Sequence, residues 1–413
     1  MRITAPDPGA RIELESINLA DTSLYTSRDA HLVWQTLRKE QPVFWQQPAE
    51  GPGFWAVTKW ADVRRVLGEH ETFSSERGTA ISMLGAPDPA AGLMMQATDP
   101  PRHQKLRKQL GKPFAASAMP AYTERIQAFV RDIVSSAEDG GVWDVAEKFS
   151  RLPMATGALL MGLPEADIDP LLRLAYASLA PQDPRFSDGP DRSERSTLRL
   201  AHYKLLEYFS ERIAERRKNP SNDVIVHMMT IEPEGRPLTD MELLVNCVSL
   251  ILGAVVTTSH AISATLIALA DQHDGEGRWP EHLELKSAVE EALRWSSPVT
   301  HFMRHARRDT DIGDTKIRAG EAVTAWIASA NRDEAMFADP YALDLQRAPN
   351  RHITFGSGSH LCLGSNLARV MLQHSFSELR ARIEAFELAG TPGHLASNEI
   401  AGVLSLPLRV KLR

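Results

Sequence analysis

The chain has 413 residues, of which 43% are hydrophobic and 24% charged, with two cysteines and a formal net charge of −7. A chain this long buries roughly three quarters of its unfolded surface, so its core needs no disulfide or metal staple, and cysteines at 247 and 362 fit a reducing compartment. The acidic balance, 46 Lys plus Arg against 53 Asp plus Glu, supplies no global field for nucleic acid.

No Gly/Ser linker, repeat or charge block divides the sequence, so one domain over 1–413 is expected. The first twenty residues carry two prolines and scattered charges where an export signal needs an apolar core. FWAVTKWADVRRVL (54–67) runs from an alternating aromatic and β-branched stretch into a helical pattern, which predicts a strand and then a short helix. Asp99-Pro100-Pro101 predicts a helix start with Asp99 as N-cap, and His103 and Arg107 follow on one face, four residues apart. Residues 115–300 read as helices punctuated by turns such as EDGG (138–141) and KNPSND (218–223). Thr239 and Glu242 form a capping box, and Leu243 to Ala270 predicts one nearly unbroken helix, roughly 45 Å long. Asn246, Ser249, Thr257, Thr258, Ser259 and His260 interrupt its apolar run, and it lacks a basic flank or aromatic belt, so a central buried helix is expected and not a membrane span. After Pro298, β-branched and aromatic runs separated by GD and AG turns predict a small sheet over 299–327. Leu367, Val370, Met371 and Leu379 make 366–383 the last helix. The expected fold class is mainly α, an α+β chain with small sheets.

The chemistry concentrates in Phe355-Gly356-Ser357-Gly358-Ser359-His360-Leu361-Cys362-Leu363-Gly364. Cys362 stands just ahead of a helix N-terminus, where backbone N–H groups and the helix dipole favour a thiolate. The glycines let the backbone approach something large and flat without a Cβ clash. A phosphate loop would end in Gly-Lys-Ser/Thr, and a dinucleotide loop would need a preceding βαβ unit. Zinc would need more ligands than His360 and Cys362, since Cys247 lies in mid-helix. Taken alone, the loop equally suits a structural cysteine in a turn.

The segment resembles the haem-ligand loop of the cytochrome P450 family, Phe-Gly-x-Gly-x-His-x-Cys-x-Gly, at every fixed position. The resemblance implies the family's fold and haem b, with Cys362 as the axial thiolate pushing electron density toward the iron to favour O–O cleavage. Phe355 would pack beside the sulfur and Gly364 would close the loop against the cofactor. Glu291-Ala292-Leu293-Arg294 resembles the family's Glu-x-x-Arg motif, implying a structural ion pair behind the haem. Asn331-Arg332-Asp333 and Phe337 to Arg347 resemble its meander, with an architectural role. Two haem propionates are costly to bury without cationic partners, and the resemblance assigns them His103, Arg107, Arg304 and His360. On the oxygen side, Leu252-Gly253-Ala254-Val255-Val256-Thr257-Thr258 resembles the distal helix. There Gly253 and Ala254 would admit the haem, and the Thr257 hydroxyl, beside Thr258, would face dioxygen or bond back to the Gly253 carbonyl.

One position departs from the family: its acidic residue before the threonine is Val256. Valine relays no proton, so the second proton must come through ordered water, the substrate or another side chain. Slow delivery would favour radical coupling or ring closure over oxygen insertion. By resemblance, substrate contacts fall on Met83, Leu84, Met94, Met95, the 173–190 region, Leu252, Val256, Val299-Thr300-His301-Phe302 and Val403-Leu404. The methionines would adapt to an irregular apolar ligand or equally fill the core, and His301 would be a polar anchor or equally a surface or structurally bonded histidine; the mixture suits a mid-sized, partly aromatic secondary metabolite. With no flavin or iron–sulfur domain appended, electrons are expected from NAD(P)H through a separate ferredoxin reductase and ferredoxin. Lys105, Lys108 and Lys112 would present a basic face to that ferredoxin. The first functional reading is monooxygenation; the second is oxidative C–C or C–N coupling or cyclisation of an aromatic, indole or cyclic-dipeptide-like product. A haem-binding sensor or carrier is the reading from another class, disfavoured by the retained Thr257 and the lack of an output domain. A cytoplasmic monomer without membrane or nucleic-acid partners is expected.

Overall fold

The computed structural model describes residues 3, 5–7, 9–26, 30–48, 51–187, 191, 193–255, 257–272 and 275–413; Val256 lies outside them, as do residues 188–190 of the 173–190 region. The predicted helical body is formed by Pro120–Ser135, Val145–Met161, Ile168–Leu179, Glu194–Lys218, Val224–Thr230, Asp240–Val255, Thr258–Asp271 and Leu285–Ser296. Their apolar stripes merge into one cluster that runs from Leu106 to Val410. The last helix, Ser365–Arg382, packs on Pro120–Ser135 and Leu285–Ser296.

Small sheets complete the α-rich fold. Five strands lie in the order Val43–Gln46, Phe54–Val57, Ala322–Ala325, Phe302–Ala306, Phe73–Ser74. Phe54–Val57 pairs parallel to Ala322–Ala325, and the other neighbours are antiparallel. The strand and short helix read from residues 54–67 are Phe54–Val57 and Trp60–Gly68. The sheet expected after Pro298 therefore forms with three N-terminal strands as partners.

The capping box forms as expected: Thr239 N donates to Glu242 Oε2 at 2.7 Å and Glu242 N to Thr239 Oγ1 at 3.3 Å. The helix it starts is described over Asp240–Val255, and a second begins at Thr258 with Thr257 as its N-cap, so the helical run is interrupted at Thr257. Val255, Val256, Thr257 and Thr258 are four β-branched residues in succession, which crowd a helix backbone and lower its propensity there. Asp240–Asp271 is long and apolar enough to cross a bilayer, but half of its most apolar stretch is buried and it packs on Val145–Met161 and Leu285–Ser296.

A second correction concerns Asp99. The helix starts at Arg102, and the Asp99 carbonyl accepts from His103 N at 3.1 Å, but the side chain caps nothing. Its carboxylate instead accepts from Ser74 Oγ, from Ser75 N at 2.9 Å and from Arg307 Nη2 at 2.6 Å. A guanidinium and two further donors outcompete free helix N–H groups.

Behind the ligand loop, Glu291 and Arg294 form an ion pair at 2.7 Å with both side chains fully buried. Arg294 also donates to the carbonyls of Asn331, Pro340 and Ala342, while Glu291 accepts from Asp344 N, Asn350 Nδ2 and Arg347. Every arm of the pair is thereby satisfied by the irregular segment 331–350, which folds around it.

Candidate functional site

The loop from Phe355 to Gly364 closes on itself through Cys362 N, which donates to Phe355 O at 2.8 Å. Gly358 has φ +71°, and a Cβ there would stand 2.6 Å from Gly68 Cα, so only glycine lets the loop rest on the end of the Trp60–Gly68 helix. The Cys362 side chain is exposed on an open face of the loop. Burial raises its thiol above the ordinary range, and the Gly364 N–H, Arg107 and Arg369 offset this only in part. The Gly364 N–H at the helix end and the two guanidinium groups act toward the thiolate expected from the sequence, and a metal cation on the sulfur would favour it further.

Facing this loop is a cluster of basic side chains from three elements. His103 and Arg107 come from the Arg102–Leu110 helix, Arg304 from the strand Phe302–Ala306 and His360 from the loop's short 3₁₀ turn. The His103 and His360 rings lie 4.1 Å apart, and His103 Nδ1 is buried without a hydrogen-bond partner. Burial and then Arg107 lower His103 to about 4. Burial, Arg304, His103 and Arg107 lower His360 to about 2. Arg304 is 4% exposed, donates among the described residues only to the Met303 carbonyl at 2.8 Å and is lowered by burial to about 10. Asp99 eases it at a distance but is already ion-paired to Arg307. The cluster is thus short of anions, a condition that two carboxylates of a ligand would relieve.

On the other side, a Cβ at Gly253 or at Gly364 would meet nothing within 4 Å. The Ala254 methyl lies against Gly157 of the Val145–Met161 helix, at a close helix crossing. Thr257 is half-buried and its hydroxyl has no protein partner among the described residues, so the bond back to Gly253 is not made; Thr258 is buried.

A family model described as Cytochrome P450 matches residues 282–408. Cytochrome P450 NovI of Streptomyces niveus is 34% identical over 96% of this chain and 97% of that protein. Linalool 8-monooxygenase of Pseudomonas putida is 30% identical over 95% and 98%. The chain belongs to the cytochrome P450 family. Among solved structures, P450 OxyD, involved in the biosynthesis of vancomycin-type antibiotics, is 33% identical with a TM-score of 0.81 over 96% of this chain and 100% of that one. A Mycobacterium marinum cytochrome P450 in complex with pseudoionone is 31% identical with a TM-score of 0.84 over 97% and 100%.

This cytochrome P450 is therefore an oxidoreductase of a haem-iron family, with the mainly α fold its sequence implied. Its residues fit haem. One soft donor, Cys362, stands on an open face; glycine faces are open at Gly253 and Gly364; and a basic cluster lacks the anions that propionates carry.

The expected substrate residues fall into separate apolar groups. Leu252, Val299 and Val403 join the main cluster, and Val299 bridges to Ile400. Met83 and Leu84 pack with Trp326 and Ala401 in a second cluster, while Met94 is half-buried. Phe302 shares a strand face with Arg304, whose guanidinium is 5.8 Å from its ring. His301 is buried against Trp326 at 4.6 Å, its Nδ1 3.0 Å from Thr300 Oγ1 and its Nε2 without a partner; burial lowers it to about 3.

Three side chains not singled out from the sequence also shape this side. Asn246 bonds the backbone at Leu93 and Met95. His260 Nδ1 accepts from Val403 N at 3.2 Å and is lowered by burial to about 3, which keeps it neutral. Glu399 lies beside Thr300, whose N–H donates to its carbonyl at 2.9 Å, and burial pushes its carboxyl up to about 7. Only the polar interruptions at 246 and 260 were a signal; Glu399 had none.

Proposed function

We propose that this P450 is a haem-thiolate monooxygenase of a mid-sized, partly aromatic secondary metabolite, with Cys362 as the iron ligand. What carries the reading is the pairing of Cys362, on its open loop face, with an anion-deficient cluster of His103, Arg107, Arg304 and His360. When bound, the haem supplies dioxygen activation with two external electrons. Arg107 and Arg304 hold the propionates by charge, and His103 and His360 by ring N–H groups. Phe355 and Gly364 frame the sulfur and the open face beside it. The Thr257 hydroxyl, without a protein partner among the described residues, orients a water or holds a proton toward the distal face, with Thr258 and Ala254 fixing the backbone behind it. The likeness to OxyD, involved in the biosynthesis of vancomycin-type antibiotics, supports a place in secondary metabolism. Electrons reach the domain, cytoplasmic and monomeric over 1–413, from NAD(P)H through ferredoxin reductase and ferredoxin. Exposed Lys105, Lys108 and Lys112 suit an acidic ferredoxin. So does a cleft of about 480 Å³ on the outer side of the ligand loop, lined by Arg64, Arg351 and Leu361.

A reduced carbon monoxide difference band at the thiolate position, abolished by Cys362→Ala, tests the ligand; a band at the imidazole position in the wild type refutes it. Scoring a panel of aromatic metabolites by haem spin-state shift tests the substrate class.

Oxidative coupling is the second reading, favoured by valine at position 256 in place of the acid. Val256→Glu should shift products toward oxygen insertion, and an unchanged product ratio counts against coupling by slow proton delivery.

A further inference from the structure

Arg369 lies in the second turn of the Ser365–Arg382 helix, which begins where the ligand loop ends. Its guanidinium forks Glu290, with Nε 2.6 Å from Oε1 and Nη2 2.8 Å from Oε2. Its Cζ stands 4.7 Å from the Phe355 ring centroid, over the residue whose carbonyl anchors Cys362 N. Glu290 is held in turn by His352, whose Nε2 is 3.0 Å from Oε2. Thr354 N donates to His352 Nδ1 at 3.3 Å, so it is the ring's Nε2–H that donates to Glu290. Burial alone would raise Glu290, but the Arg369 fork and His352 outweigh it and bring it to about 2. Arg369 thus lies against Phe355, the residue to which the Cys362 backbone is bonded, and its charge, like that of Arg107, favours the thiolate form of Cys362.

A solvated surface pair would need neither the ring nor the histidine. Here a planar cation is fixed in orientation by a bidentate acid, and that acid is fixed by a second donor. The arrangement holds a positive charge against the Phe355 ring, at the base of the loop that carries the sulfur. We infer that Arg369 is a positioning residue that sets how much electron density the Cys362 sulfur gives to the haem iron, and that Glu290, steadied by His352, sets how much of the Arg369 charge the sulfur feels. A positive charge near a thiolate withdraws density from the metal and favours the reduced iron. Arg369 therefore raises the ferric–ferrous potential, and Glu290 lowers it.

The test is a dithionite titration of the haem-loaded protein, followed optically, which reads the one-electron midpoint independently of turnover. Arg369→Met keeps the aliphatic stem and removes the charge; it should shift the ferric–ferrous equilibrium about tenfold toward the ferric form, ~59 mV downward. Glu290→Gln should shift it upward, because the Arg369 charge loses its counter-ion, and the double variant should return close to wild type. Arg369→Lys, which restores charge without the fork, should recover more than half of the Arg369→Met shift, and it serves with Glu290→Gln if Arg369→Met does not fold. A pair that merely braces the loop would move both single variants in the same direction or leave both unmoved, and either result overturns the inference. The inference rests on Cys362 as the iron ligand. Failure of that reading shows separately, as absence of the thiolate carbon monoxide band in the wild type. Unmoved or parallel midpoints with that band intact in every variant reject the role of Arg369 alone.

Discussion

Asn246 grips the backbone around Met95: its Oδ1 accepts from Met95 N at 2.9 Å, and its Nδ2 donates to Leu93 O at 2.9 Å and to Glu242 O at 2.7 Å. One side chain on the distal helix thus fixes the irregular segment that carries the methionines. Arg102 braces the same segment through Gly92 O at 2.9 Å and ties it to Glu242.

Replacing Asn246 with leucine leaves two backbone groups of this segment without partners. Stability should fall by about 2 kcal/mol, amide exchange at residues 93–97 should accelerate, and the spin-state response to ligands should weaken. Unchanged exchange at Met95 would mean that the segment is held by other contacts.

Glu291→Gln should cost about 3–5 kcal/mol, because it leaves Arg294 charged in a fully buried place with only carbonyls around it. A urea midpoint that falls steeply, together with weaker retention of haem, is the expected result. A loss below about 1 kcal/mol would mean that the segment 331–350 supports itself.

Arg304 has no ion-pair partner among the described residues and is buried at a cost, so Arg304→Met should leave the cofactor-free protein as stable as wild type or more so. The same change should speed haem loss about tenfold, since one charge-assisted bond to a propionate is worth roughly 1.5–3 kcal/mol. Haem transfer to a scavenger protein measures this, and an unchanged rate would place the propionates elsewhere.

Glu399 predicts a pH dependence with a definite sign. Its folded pKa of about 7 lies above the unfolded value of ~4.3, so between these the native state holds more protons than the unfolded chain and stability falls as pH rises. Glu399→Gln should match wild type near pH 4 and be more stable at pH 8, by about 4 kcal/mol at most. Thermal melts across that range check it; parallel curves would show that the carboxyl is already solvated or paired.

Local order was legible in the sequence. The strand and helix of 54–67, the Thr239–Glu242 cap and the helix after Gly364 depend on residues within a few positions of one another, and their patterns carry the result. The ligand loop was legible for the same reason: its glycines, histidine and cysteine are contiguous, and Gly358 is required by one close approach to Gly68. The break at Thr257 was not, because a capping box and an apolar run outweighed four β-branched residues in the reading.

The sequence by itself determined the family, the helix-rich class, the Cys362 loop and the basic residues available to a haem. Only the tertiary structure decided which of them meet. Arg304 comes within the field of His360 and His103 because strand Phe302–Ala306 pairs beside Phe73–Ser74, about 230 residues earlier in the chain. Asp99 leaves its helix for Arg307, Asn246 turns to Leu93 and Met95, and Arg369 reaches Glu290 across two helices. Hydrogen bonds and charges act over a few ångströms of space whatever the separation along the chain, so such pairings exist only once packing has brought their elements together.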